Sequence, residues 1–160
     1  MPEEIEFAKK FNQMVWEYLE KTSRDSEDDL RMITYAHASL AHWISAGGLI
    51  EKVRGYWLLS RVYCVIGDSR QASFYARLCN QLTEDNQNEF HDFDLAYAAE
   101  ALARAHALAG EMDAATTLLT KAEMLGNMIQ DEEDRDIFTK DLQNGPWFGL
   151  KKVRHKFCHG

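Results

Sequence analysis

One stretch of the chain, residues 91–110, constrains the fold more than any other. Between residues 95 and 109 it contains only three strongly polar side chains, those of Glu100, Arg104 and His106. A helix that is apolar on every side needs neighbours on several faces, because no face of it suits water. We expect Asp92 or Asp94 to cap its start and Gly110 to close it. The stretch therefore predicts a central helix buried among the others.

Apolar side chains at three- and four-residue spacing recur along the rest of the chain and predict six further helices, one of them over 49–66. Polar or glycine-containing breaks separate the helices, and no segment has the period-two alternation typical of strands. The sequence therefore predicts an all-α fold. We expect one domain over residues 1–144 and a tail over 145–160 that docks partly through Trp147 and Phe148 and is otherwise flexible.

Composition limits the classes of partner and the cellular location. The 160-residue chain has 18 basic and 26 acidic residues, a formal charge of −8, so its surface should repel nucleic acid and anionic membranes. No apolar run is long enough to span a bilayer, and the acidic start does not resemble a signal peptide. The three cysteines, Cys64, Cys79 and Cys158, form no C-x-x-C motif. We therefore expect free thiols and a cytoplasmic location.

Two segments of the sequence match each other with an offset of 43 residues. Counted from Val53 and from Ala96, the equivalent pairs are Tyr56 and Ala99, Leu59 and Leu102, Ser60 and Ala103, Tyr63 and His106, Gly67 and Gly110, Ala72 and Ala115, Ala76 and Leu119, and Cys79 and Ala122. A third, degenerate unit precedes them, in which Ala36, Leu40 and Trp43 match the second-helix positions. Such self-similarity is typical of helical repeat proteins.

These residues resemble the tetratricopeptide (TPR) repeat, with its large-x-x-Leu-small-x-x-aromatic pattern, a glycine, and then Ala-x-x-x-bulky-x-x-Ala. The proline expected at the end of each unit is missing. The resemblance implies a right-handed stack of three antiparallel helix pairs with a seventh, capping helix. The segments around Arg54–Tyr63 and Asp92–Ala107 also resemble a small bacterial family of TPR-like proteins, a resemblance that implies no activity.

In TPR-like proteins, positions 2, 5 and 9 of each first helix line the concave face, where partners bind. These positions hold Arg54, Trp57 and Arg61 in one unit and Tyr97, Glu100 and Arg104 in the next, with Asp94 just before them. Arginine offers bidentate donors to carboxylates or phosphates, and tryptophan and tyrosine offer flat contact area. The sequence therefore predicts a non-catalytic binding or scaffold module that holds a protein segment, acidic by preference, or an anionic ligand.

Two alternatives remain beside this prediction. The same polar cluster could form a closed pocket in a small-molecule-binding protein or an enzyme. It could also be a structural layer, which we favour over a binding surface: Glu100 and Arg104 have i, i+4 spacing, and Arg61 could pair with Glu100 or Asp94.

The sequence offers no signal for catalytic residues, a metal site or a cofactor. The histidines of the predicted helices lack metal-ligand spacing, so a core or capping role is favoured for them. His106, for example, falls at a packing position of the repeat. In the tail, His155, Cys158 and His159 have ligand-like spacing if the segment is helical, but a flexible terminus binds metals only incidentally. We expect no cofactor, no metal and no nucleic-acid or membrane partner, and the oligomeric state is left open.

Overall fold

The structure, a computed structural model, describes residues 2–150, so the basic end of the tail with Cys158 lies outside the described residues. Within residues 2–150 the chain forms helices and no strand, which confirms the all-α class. The seven α-helices are α1 (Pro2–Leu19), α2 (Ser26–Ala46), α3 (Leu49–Ile66), α4 (Ser69–Asp85), α5 (Asp92–Leu108), α6 (Met112–Asn127) and α7 (Glu132–Gln143). None of these helices has the length and hydropathy required to cross a membrane.

Helix α5 is the centre of the packing, as its apolar composition predicts. Each helix packs against the next one in the chain, and α5 in addition contacts α3 and α7. Ten of its 17 residues are buried, seven of them alanines and the other three Asp94, Glu100 and Arg104. Alanine has little side chain to separate the helix axes, so four neighbours can approach α5 closely. Because the helix is surrounded in this way, its charged residues Asp94, Glu100 and Arg104 are buried as well.

The start of α5 differs from the expected cap. The N-terminal capping residue is His91, and the helix begins at Asp92. The carboxylate of Asp94, in the first turn, accepts a hydrogen bond of 3.2 Å from the backbone N–H of His91. Asp94 therefore satisfies a donor at the helix start from the third position rather than from the cap itself.

Helices α3 and α5 end in the same way, 43 residues apart. Gly67 and Gly110 both adopt left-handed backbone conformations, with φ of 84° and 80°. In both turns the next residue donates a backbone hydrogen bond five residues back, Asp68 to Tyr63 at 3.0 Å and Glu111 to His106 at 2.9 Å. This is the Schellman arrangement, which favours glycine because an L side chain is strained there. The two matched segments thus share a local structure as well as a sequence pattern.

The chain after α7 returns to the body through its aromatic side chains. The indole of Trp147 is buried, with 8% of its surface exposed, and packs with residues of α5, α6 and α7. Its Nε1–H donates to the backbone oxygen of Leu142 at 2.9 Å. Phe148 is partly buried against the cluster formed mainly by α2, α3 and α4. The segment that follows α7 therefore bridges the second half of the molecule to the first.

A glycine sets the distance between α6 and α7. A Cβ at Gly126 would lie 2.4 Å from Cε1 and 2.6 Å from Cδ1 of Phe138, whose side chain is 1% exposed and cannot swing into solvent. We expect Gly126→Ala to lower the free energy of unfolding by about 1–2 kcal/mol, because overpacking outweighs the helix propensity gained. Urea denaturation measures the change.

A second variant separates the steric cause from other effects of the alanine. In a Phe138→Leu background the ring is gone, so adding Gly126→Ala should leave the stability unchanged or raise it slightly. If Gly126→Ala is as stable as the original chain, the ring of Phe138 does not exclude a Cβ at Gly126.

Candidate functional site

A cavity of about 480 Å³ lies on the side where α1, α3, α5 and α7 face one another. Its lining is mainly apolar and aromatic, and α4 contributes two residues to it. The lining residues are Asn12 and Trp16 of α1, Val53, Arg54, Trp57 and Leu58 of α3, Cys79 and Thr83 of α4, Phe93, Asp94, Tyr97 and Ala98 of α5, and Ile137 and Asp141 of α7. Five helices thus contribute to one concave site.

Aromatic rings from alternate helices contact one another along the cavity wall. The indoles of Trp16 and Trp57 stack with their centroids 6.0 Å apart. The ring of Trp57 meets that of Tyr97 edge to face, at 5.3 Å and 75°. Tyr97 in turn meets Phe138 at 4.9 Å and 84°. Because each ring is held by the next, the wall from α1 to α7 is preorganised rather than assembled by a ligand.

An ion pair occupies the α3–α5 side of the cavity. The guanidinium of Arg54 donates to both carboxylate oxygens of Asp94, with Nε–Oδ1 at 2.9 Å and Nη2–Oδ2 at 3.0 Å. Its Cζ also lies 5.2 Å from the centroid of Phe93. Asp94 is 9% exposed, whereas the Arg54 side chain is 46% exposed. The bidentate geometry fixes Arg54 in place and directs two of the roughly five N–H donors of the guanidinium to Asp94.

A second carboxylate lies on the α7 side. The Asp141 carboxylate accepts a hydrogen bond from the phenol of Tyr97 through Oδ2. Burial, reinforced by this hydrogen bond, raises the pKa of Tyr97 above its ordinary value, so the phenol stays protonated and donates. Among residues 2–150, no basic side chain forms an ion pair with Asp141. The Asp141 carboxylate therefore has no ion-pair partner among these residues, although the guanidinium of Arg104 lies 2.6 Å from the backbone oxygen of the same residue.

Further along α3 and α5, a polar layer surrounds Glu100. The Glu100 and Arg104 side chains are each 1% exposed and form an i, i+4 ion pair. The carboxylate of Glu100 also accepts from Nε1 of Trp57 at 3.1 Å and from Nη1 of Arg61 at 3.5 Å. Three donors thus satisfy a carboxylate that has no access to water, which is the condition for burying such a charge.

The guanidinium of Arg104 extends from this layer to the end of α7. It donates to three backbone oxygens, those of Asp141 at 2.6 Å, Asn144 at 2.8 Å and Pro146 at 3.1 Å. Its Cζ lies 4.1 Å from the ring centroid of Trp147. Burial lowers the pKa of Arg104, and the charge of Glu100 acts against that shift. A cation at the carboxyl end of a helix also complements the helix dipole, so Arg104 joins α5 to α7.

The structure divides the seven predicted site residues into two groups. Four of them line the cavity, namely Arg54, Trp57, Asp94 and Tyr97. The other three belong to the polar layer, namely Arg61, Glu100 and Arg104. Trp57 joins the two groups, because its ring lines the cavity while its N–H contacts Glu100.

Several cavity residues carry no sequence signal of their own. Trp16 belongs to the degenerate first unit, and Asp141 to a helix outside the repeats. Thr83 and Phe93 lie near helix ends, where the apolar spacing does not single them out. Ile137 is one of the apolar residues that predict helix seven, but its spacing does not indicate a cavity. The seventh, capping helix that the resemblance implies contains Ile137 and Asp141, but the sequence does not place it beside a cavity.

Cys64 and Cys79 are buried, and His37 is partly buried. Burial raises the pKa of the thiols of Cys64 and Cys79 to about 12, so both are protonated at neutral pH. The His37 ring lies 2.8 Å from the hydroxyl of Tyr63, and burial lowers its pKa. Within residues 2–150, no three His, Cys, Asp or Glu side chains are grouped so that they could hold a metal ion.

Comparison with known proteins gives no match to the chain, whether with protein families, with curated proteins or with solved structures. The class of the protein is therefore defined by its own structure. Over residues 2–150 it is all-helical, with a preorganised, aromatic-walled cavity lined by the odd-numbered helices α1, α3, α5 and α7 together with α4.

Proposed function

We propose that the protein is a non-catalytic binding module that holds a segment of a partner protein on the face formed by α1, α3, α5 and α7. The cavity carries this proposal. Its volume of about 480 Å³ lies within the range of roughly 300–1,000 Å³ typical of ligand sites. Tryptophan and tyrosine, which dominate the binding energy of many interfaces, form its walls. A partner side chain would anchor there, and the remainder of the segment would cross the neighbouring helices.

A TPR-like stack is the arrangement we propose for this scaffold. The shared ends of α3 and α5 at Gly67 and Gly110 support it. A further support is that Trp57 and Glu100, at the same position of successive units, touch each other at 3.1 Å. Equivalent positions of neighbouring repeats come together when repeats stack in register. In that arrangement the odd-numbered helices form one side, which is where the cavity lies.

The pairing of the arginines favours an apolar anchor over an anionic ligand. Arg54 is held by Asp94, and both Arg61 and Arg104 contact Glu100. At Arg61 and Arg104 an anion would have to displace the buried carboxylate of Glu100, which is costly, and at Arg54 it would compete with the bidentate contact to Asp94. The proposed partner therefore binds chiefly through contact with the aromatic wall.

A small-molecule receptor is the second candidate, and one observation favours it. Ile137 and Asp141 of α7 line the cavity, so the site is bounded on that side rather than continuing as an open groove. A bounded, preformed cavity with few polar groups suits a small ligand as well as an anchoring side chain.

A cavity-blocking variant tests the proposal. Asn12 lines the cavity from α1, and Asn12→Trp would fill part of it without removing a core side chain. The full chain and the variant are immobilised, exposed to extract of the native host, and the retained proteins and small molecules are identified by mass spectrometry. We expect Asn12→Trp to reduce the retained partner at least about tenfold, as the loss of one anchor worth 1.4 kcal/mol would.

Gln13→Trp is the matched control, because Gln13 is exposed on the same helix and does not line the cavity. It should retain the partner as the original chain does, and both variants should melt at the original temperature. Equal retention by Asn12→Trp would show that the cavity is not the anchor. Retention of a small molecule without any protein would support the second candidate instead.

A further inference from the structure

We propose that the cavity selects a lysine side chain of the partner segment, with its ammonium group at Asp141 and its hydrocarbon stem against the aromatic wall. This inference rests on the proposed binding function and adds the chemistry of the anchor. It reverses the preference for acidic partners that the arginine-rich sequence pattern indicates.

The charges that line the cavity carry the argument. They belong to Arg54, Asp94 and Asp141. Arg54 and Asp94 neutralise each other through two hydrogen bonds of 2.9 and 3.0 Å. The side-chain partner of Asp141 within residues 2–150 is the neutral phenol of Tyr97, and no basic side chain of this region pairs with it. Among the three charged side chains of the lining, that of Asp141 therefore has no ion-pair partner, and a cationic group would complement it.

The wall suits the remainder of a lysine side chain. Trp16, Trp57 and Tyr97 present aromatic surface beside Asp141. Lysine buries its methylene stem on apolar surface while its ammonium stays with polar groups, and the faces of tryptophan and tyrosine attract cations. Within the same wall the guanidinium of Arg54 already lies over Phe93, at 5.2 Å. A glutamate or aspartate anchor would instead meet Asp141 as a like charge.

The charge of the whole chain acts in the same direction. A formal charge of −8 attracts basic segments and repels acidic ones before contact. The cavity then supplies the local selection, because a norleucine side chain has a similar hydrocarbon stem without the ammonium. Removing the charge of Asp141 should therefore remove the preference for lysine and leave the apolar contribution to binding.

Three peptides test the inference on the full chain. They share the sequence acetyl-Gly-Leu-X-Leu-Gly-amide, where X is lysine, norleucine or glutamate. Each is titrated into ¹⁵N-labelled protein, and the indole N–H signals of Trp16 and Trp57 report on the cavity, whereas those of Trp43 and Trp147 serve as internal references. We expect the lysine peptide to bind about tenfold more tightly than the norleucine peptide, and the glutamate peptide most weakly.

Two variants of α7 assign the preference to one carboxylate. Asp141→Asn keeps an acceptor for Tyr97 but loses the charge, so the lysine and norleucine peptides should then bind about equally. Asp136→Asn is the matched control, because it removes the same charge from an exposed position of α7 that does not line the cavity. It should keep the preference. Loss of preference in both variants would mean that only the net charge matters, which overturns the site.

The outcomes separate this inference from the function on which it rests. If no peptide shifts the Trp16 and Trp57 signals, the cavity binds no segment and the proposed function fails as well. If the norleucine or glutamate peptide binds as tightly as the lysine peptide, the cavity binds but does not select a cation. Butylammonium is titrated alongside them, and binding as tight as that of the lysine peptide would overturn a protein segment as the source of the ammonium.

Discussion

Arg104→Ala should lower the free energy of unfolding by about 3–5 kcal/mol, the loss expected when one partner of a buried ion pair is removed. The side chain is 1% exposed, so water cannot replace its contacts in the intact fold. The change takes one donor from Glu100 and leaves the backbone oxygens of Asp141, Asn144 and Pro146 without the guanidinium that satisfies them. Urea denaturation with an unchanged m value measures the loss.

Arg61→Ala is the control for charge removal in the same layer. Its side chain is 16% exposed, and its contact with Glu100 is a single one of 3.5 Å. Because Trp57 and Arg104 still donate to Glu100, the loss should be close to that of a single hydrogen bond, about 1 kcal/mol. Arg104→Lys keeps the charge but lacks the planar fork, so its stability should lie between those of the original chain and Arg104→Ala. A loss below 1 kcal/mol for Arg104→Ala would contradict its role as the joint between α5 and α7.

Variants of Trp57 and Arg61 test which predicted residues belong to the binding surface. Arg104 and Glu100 have almost no exposed surface, so a partner on the concave face would not reach them. Trp57→Ala should weaken peptide binding through the cavity wall, whereas Arg61→Ala should leave that binding unchanged. The sequence pattern places all seven candidates on one face of the helices. The structure then separates the four that line the cavity from the three that belong to the polar layer around Glu100.

The helical class and much of the packing follow from local sequence rules. The spacing of apolar residues predicts α3 over 49–66, and the structure has Leu49–Ile66. The scarcity of polar residues in the stretch around Glu100 predicts the buried position of α5. Both signals are local, since they depend on side chains within a few turns of one helix. Gly67 and Gly110 make the ends of α3 and α5 predictable as well, because left-handed turns favour glycine.

The cavity could not be predicted in the same way, because it depends on how far helices from different parts of the chain stand from one another. Asp94 pairs with Arg54, 40 residues away, and Asp141 accepts from Tyr97, 44 residues away. The sequence indicated Arg61 as a partner for Glu100 or Asp94 but did not indicate Arg54 for Asp94. Without the position of α7, Asp141 is only one of several acidic residues in the sequence. The charges that line the cavity therefore cannot be predicted from the sequence.

Trp147→Ala should also lower the free energy of unfolding by about 3–5 kcal/mol, as large-to-small changes of buried aromatic residues do. The indole is 8% exposed and fills space between α5, α6 and α7. Its removal also loses the hydrogen bond of Nε1–H to Leu142 and the face on which Arg104 lies at 4.1 Å. Thermal and urea denaturation of the full chain measure the effect.

Two matched variants separate these contributions. Trp147→Phe keeps most of the apolar area but loses the hydrogen bond to Leu142, and should cost about 1 kcal/mol beyond the lost area. Phe148→Ala removes the neighbouring, only partly buried ring and should cost clearly less than Trp147→Ala. Since Trp147 and Arg104 touch, the double alanine variant should lose less stability than the sum of the two single variants, by at least about 0.5 kcal/mol. Strict additivity would mean that the tail docks without contacting Arg104, and an unchanged stability of Trp147→Ala would mean that it does not dock at all.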